Sequence, residues 1–93
     1  MSSSKSSYPV RDDHIVVGII RGARGLKGEL IVEPTTEFLE RFDSGNTLFV
    51  NGVSHEVIRS QQGRKGVVLL ISGIRNRDGA DDVLGEGITV PAS

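Results

Sequence analysis

Hydrophobic and polar positions along the chain follow strand periods over most of its length. His14-Ile15-Val16-Val17-Gly18-Ile19-Ile20 is an apolar, β-branched run too short for a helix, and it predicts a strand buried on both faces. From Glu29 the texture alternates, with Glu29, Ile31 and Glu33 on one side and Leu30, Val32 and Pro34 on the other. Pro34 then ends the pairing or sits at a sheet edge, because it has no N–H to donate. Thr47-Leu48-Phe49-Val50, then Asn51-Gly52, then Val53 to Arg59, predicts a hairpin, since Asn-Gly accepts the positive φ of a type I′ turn. Gly63-Arg64-Lys65-Gly66 predicts a second turn, followed by the doubly apolar strand Val67 to Ile71. Ile88-Thr89-Val90 is the last strand.

Two short stretches carry helical rather than strand spacing. Thr36 to Phe42 predicts one turn, with Thr36 as cap, Glu37 at the positive start, and Phe38, Leu39 and Phe42 on one side. The second follows Asn76 as cap, with Ala80, Val83 and Leu84 as its apolar stripe and Gly85 as its stop. Six short strands without βαβ spacing predict an all-β, six-stranded antiparallel barrel with two short helical turns, since closure removes exposed edges. Residues 1–13 are Ser-rich and without apolar period, and read as a flexible N-terminal tail before a barrel domain at 14–90.

Composition narrows the function classes. A chain of 93 residues has room for one core and little for a deep catalytic cavity. The sequence contains no cysteine, which removes disulfides, thiolate nucleophiles and cysteine-ligated metals. No apolar run reaches the roughly 20 residues of a membrane span and the start has no signal-peptide h-region, so a cytoplasmic location without membrane contact is expected. The net charge of -1 excludes a generic polyanion binder, so any contact with nucleic acid has to be local.

The local exception is Arg21-Gly22-Ala23-Arg24-Gly25-Leu26-Lys27-Gly28, three cations interleaved with glycines in a nearly neutral chain. Glycines let backbone N–H groups face an anion while the cations neutralise it, which points to rRNA phosphate or an acidic protein surface. The same glycines would equally serve a plain hairpin connection whose cations face water. A phosphate-binding loop of nucleotide-binding type would need Ser or Thr and then a helix after the lysine; here Gly28-Glu29 and a strand follow. Asp12-Asp13-His14 has metal-ligand composition, but adjacent residues of an extended chain point in alternate directions and form no ligand set. His55 and Glu56 fail as an acid–base pair for the same reason. Arg75 and Arg77, before the second helical turn, would extend the basic loop if the barrel brings the two segments together.

These segments, in this order, resemble the N-terminal domain of the RimM family, bacterial factors that assist maturation of the small ribosomal subunit and processing of 16S rRNA. The resemblance is carried by Gly18-Ile19-Ile20, Gly22, Gly25-Leu26-Lys27-Gly28-Glu29-Leu30, Val32, Pro34-Thr35-Thr36, Glu40-Arg41-Phe42 and Leu48-Phe49-Val50. It resumes at Gly73-Ile74-Arg75-Asn76-Arg77-Asp78, Ala80 and Leu84-Gly85. Leu39 stands where the family usually has proline, and Gly79 replaces a helix-forming alanine at a cost of about 1 kcal/mol. The resemblance implies a Greek-key-like barrel of translation-protein type that acts by binding the immature 30S subunit, through rRNA or proteins of the subunit head, the head-protein contact being associated in the family with a second module. It implies no catalytic residue, no cofactor, no metal and no small-molecule substrate, and a monomer is expected. It also implies a second, PRC-barrel-like domain after a linker, of which residues 91–93 would be the start. The expected contact surface is Arg21, Arg24, Lys27, Arg75 and Arg77, with Gly22, Gly25 and Gly28 shaping the loop. Two alternatives stay open: a docking module for the second domain, and a nucleotide-binding barrel.

Overall fold

A computed structural model describes residues 13–64 and 66–92, so residues 1–12 of the expected tail, Lys65 of the second turn and Ser93 lie outside the described residues. Six strands, β1 (His14–Arg24), β2 (Glu29–Pro34), β3 (Thr47–Val50), β4 (Val53–Gly63), β5 (Gly66–Ile71) and β6 (Gly87–Pro91), pair antiparallel and close into a barrel in the order β1-β2-β5-β4-β3-β6. Sequential neighbours form the β1–β2 hairpin and the β3-β4-β5 meander. The links from β2 to β3 and from β5 to β6 join strands that are not neighbours, which gives the Greek-key order. These links carry a 3-10 turn (Leu39–Phe42) and a short helix, α1 (Arg77–Asp81).

The interior is aliphatic, as a chain with so few aromatics requires. Val17, Ile20, Leu30, Leu48, Leu69 and Ile88 are all fully buried. At roughly 1.5–3 kcal/mol for each buried aliphatic side chain, this interior is the main favourable term. In most strands only one face shares it; β6 buries Ile88, Thr89 and Val90 in succession. The expectation of strands buried on both faces therefore fails for β1: Ile15 and Val16 are 41% and 44% exposed. A barrel of one sheet has an inner and an outer surface, and the outer one here has no second layer over it. In β5, likewise, Val67, Leu69 and Ile71 are buried while Val68 and Leu70 are half-buried.

β1 is the strand that closes the sheet, pairing with β2 on one side and β6 on the other. Its register shifts between Val16 and Gly18 against β6, and between Ile20 and Gly22 against β2. Such irregularities bend a strand and re-aim its side chains, which lets eleven residues follow the barrel's curvature. The Asn51-Gly52 turn forms as its sequence predicts, with φ of 54° and 81° and Val50 paired to Val53 across it.

The two helical links differ from their sequence outline in detail. Thr36 does not cap a helix; its Oγ1 accepts from the Phe38 N–H at 3.1 Å in a local turn, and the 3-10 turn starts only at Leu39 without a side-chain cap. Phe38 is 59% exposed, whereas Phe42 is buried at the barrel end. A 3-10 turn has three residues per turn, which spaces Leu39 and Phe42 onto one side and leaves Phe38 off it. Asn76 does cap α1, accepting from the Gly79 N–H at 2.9 Å. The helix ends at Asp81, and 3-10-type bonds carry the chain through Val83 and Leu84 to Gly85. Ala80 and Ile74 are buried and Val83 packs on the core, while Leu84 is largely outside.

Two glycines here predict opposite outcomes on replacement. Gly66 has φ of +144°, and a Cβ on it would drive into the Val32 carbonyl oxygen of the backbone of β2. Gly79 has an ordinary backbone conformation, and its Cβ would meet nothing closer than 3.6 Å. Gly66→Ala is expected to destabilise by about 2–5 kcal/mol, and Gly79→Ala to stabilise by about 0.5–1 kcal/mol. Urea unfolding of the two variants measures both signs.

Candidate functional site

The β1–β2 connection is a four-residue turn, Gly25-Leu26-Lys27-Gly28, closed by the Gly28 N–H on the Gly25 carbonyl at 3.4 Å. Leu26 and Lys27 form its tip, and Leu26 is 93% exposed, more than any other large apolar side chain among the described residues. Gly28 is buried. It has φ of +78°, and a Cβ on it would overlap the Asn76 carbonyl. Two backbones touch here because no side chain intervenes. This contact joins the glycine loop to the N-terminus of α1, so Lys27 and Arg75 lie in segments anchored to each other. The union of the two basic segments, left open by the sequence, is therefore a feature of the fold.

The five expected contact cations divide into two groups. Arg21 donates from Nε to Glu33 Oε1 at 2.7 Å, Arg24 from Nε to Glu29 Oε1 at 3.4 Å, and Arg77 faces Asp81 Oδ1 at 3.7 Å one helical turn on. Lys27 and Arg75 are exposed and have no carboxylate partner among the described residues. Gly22 sits on β1 opposite Ile31, and Gly25 opens the turn. Lys27-Gly28 runs directly into β2, not into a helix.

Sequence reasoning missed two arginines. Arg59 on β4 donates from Nη2 to Glu29 Oε2 at 2.8 Å, so one carboxylate holds Arg24 and Arg59 at once. Glu29 can do this because β5 pairs with both β2 and β4, bringing residues far apart in sequence to one outer face. Arg64, at the β4–β5 turn, lies near Arg24 across a shallow depression. Neither position has a local signal; both follow from the strand order. The Arg59 hydrogen bond holds the Glu29 carboxyl below the usual carboxylate range, with burial opposing it and Arg24 assisting.

The histidines serve the barrel. His14 Nδ1 lies 3.0 Å from Thr89 Oγ1, and its ring meets Phe49 edge-on with centroids 4.7 Å apart. His55 Nδ1 lies 2.6 Å from the Ser72 carbonyl. No group of three His, Asp or Glu side chains among the described residues converges as a metal site, and no helix among them is long and apolar enough to cross a membrane.

Fold and site together define a small closed antiparallel barrel that presents cations on a hairpin tip buttressed by a capped helix. Residues 15–93 match the family model described as the RimM N-terminal domain, and the chain belongs to that family. Ribosome maturation factor RimM of Dehalococcoides mccartyi is 29% identical over 82 residues, covering 88% of this chain and 49% of that protein. The Ribosome maturation factor RimM of a Synechococcus strain is 36% identical over 88 residues, covering 87% and 50%. Among solved structures, a 16S ribosomal RNA processing protein RimM of Pseudomonas aeruginosa superposes with a TM-score of 0.72 at 24% identity, over 85% of this chain and 51% of that one. The N-terminal domain of RimM from Thermus thermophilus gives 0.69 at 15% identity, over 83% and 87%. The chain spans about half the length of the curated relatives it matches.

The Glu29 clamp carries a pH signature. A depressed folded pKa means stability that is present above the unfolded carboxylate value of about 4.3 and is lost as pH falls through the folded value. Glu29→Gln is expected to lower stability at neutral pH by about 1 kcal/mol and to flatten the acid limb of the stability profile. Urea unfolding at a series of pH values checks this; parallel profiles for the two proteins would show that the clamp contributes nothing.

Proposed function

We propose that this chain is a non-enzymatic module of small-subunit maturation that binds the immature 30S subunit with the face formed by the glycine loop and the start of α1. The observation that carries this reading is the backbone contact of Gly28 with Asn76, which joins the segments of Lys27 and Arg75, two exposed cations without an ion pair among the described residues. Unpaired cations are available to phosphate without first giving up a carboxylate. Arg21, Arg24 and Arg77 add positive potential, but each already shares its charge with an acid. The names of the relatives, ribosome maturation factor and 16S ribosomal RNA processing protein, support the same assignment.

A second reading is favoured by Leu26. A fully solvated leucine between cations gains nothing from phosphate, and the relatives are about twice as long as this chain. In this reading the loop tip docks on the remainder of a longer protein. Adding that separate segment would then shift the amide signals of residues 25–28 in the absence of RNA.

Replacing Lys27 and Arg75 together by Ala is expected to weaken binding to immature subunits and to lower the log–log salt slope by about two. Replacing Arg21 by Ala is expected to change the slope by less, since its ion pair with Glu33 is lost at the same time. Binding measured across a salt series tests the reading, and an unchanged slope in the folded double variant would remove this face from the interface.

A further inference from the structure

On the outer surface, between the end of the β1–β2 hairpin and the end of the β4–β5 hairpin, lies a depression of about 260 Å³. Its floor is the cross-strand pair Ile31 and Val68, both half-buried. Gly63 and Gly66, paired across the β4–β5 hairpin, line one side without side chains, and Arg24 and Arg64 complete the lining. No carboxylate among the described residues lines it. Glu29 accepts from Arg24 Nε, and the terminal Nη amines of Arg24 have no hydrogen bond among the described residues. Arg64 has no ion pair among them. The site is thus an aliphatic floor with glycines at one side and two guanidinium groups, one of them held in place by its own Nε.

We propose that this depression takes one unstacked nucleobase of single-stranded RNA, with Arg24 and Arg64 on the flanking phosphates. The inference rests on the reading of this chain as a binder of the immature subunit and names the chemistry that reading would use. The volume falls below the roughly 300–1,000 Å³ of sites that enclose a whole small molecule, so it suits a single group projecting from a polymer. A base has an apolar face for Ile31 and Val68, is flat enough to pass the side-chain-free glycines, and carries an anion on each side for the arginines. Guanidinium planes also stack on bases where aromatic rings are absent. A peptide side chain would fill the floor but leave two cations unanswered. Bases inside a duplex are stacked and cannot reach the floor.

The test uses the 93-residue chain, methyl-labelled, with a short single-stranded RNA, the same strand as a duplex, and the same backbone lacking its bases. The single strand is expected to shift the Ile31 and Val68 methyls and to bind roughly tenfold more tightly than the abasic backbone. The duplex and the abasic strand are expected to leave the Ile31 and Val68 methyls in place. Equal methyl shifts with the abasic strand, or loop shifts without methyl shifts, would overturn the base site while leaving subunit binding intact. Absence of any response to all three RNAs, together with loss of subunit binding, would overturn both. Because the chain has no cysteine, Gln61→Cys, paired with Val68 and outside the lining, gives a unique attachment point for a photo-crosslinker. In immature subunits it is expected to join to an RNA nucleotide; joining to a ribosomal protein would overturn the proposal.

Discussion

Closure of the sheet through β1 is the constraint on which everything else depends. One strand must satisfy β2 on one edge and β6 on the other while turning its buried residues inward throughout. A regular eleven-residue strand could not follow that curve, and the two register shifts supply the bend. Once β1 is bent and paired, the links between non-neighbouring strands have only the barrel's ends to cross. The 3-10 turn and α1 occupy those crossings and bring Phe42, Ile74 and Ala80 over an interior that the strands alone would leave open.

Much of this was legible because the local signals agree with one another. The Asn51-Gly52 turn, the alternation of β2, the Asn76 cap and the strand count all point to a closed antiparallel sheet. What sequence could not convey is which side of an apolar strand meets solvent. Ile15 and Val16 have the composition of core residues, yet β1 has only one covered face, and no period distinguishes a barrel wall from the middle of a layered sheet. The helical link before β3 shows a second limit. Phe38, Leu39 and Phe42 fit an α period, but the chain turns with a tighter one and Phe38 is left in solvent.

For the candidate site, the loop was readable and its electrical state was not. Charge clustering singled out Arg21, Arg24 and Lys27 as equals, whereas strand pairing gives the two arginines a carboxylate and leaves Lys27 without one among the described residues. Glu29 sits opposite Arg24, and Glu33, the partner of Ile19, lies diagonally within reach of Arg21, because the β1–β2 register puts them there. Arg59 joins through a strand two places away in the sheet. An acid on a neighbouring strand is invisible as long as only sequence distance is counted. The result is a face whose positive potential is graded: anchored arginines along the sheet, and at the tip a lysine without an ion pair among the described residues.

The contact between Gly28 and the Asn76 carbonyl places main chain directly against main chain. Nothing in it depends on the side chains at Leu26, Lys27 or Arg75, which project from the same two segments. The side-chain chemistry on this surface can therefore be changed, to another charge, size or polarity, without moving the platform beneath it. The barrel works in this respect like a fixed mount with interchangeable fittings, and its most demanding position is the one that contributes no side chain at all.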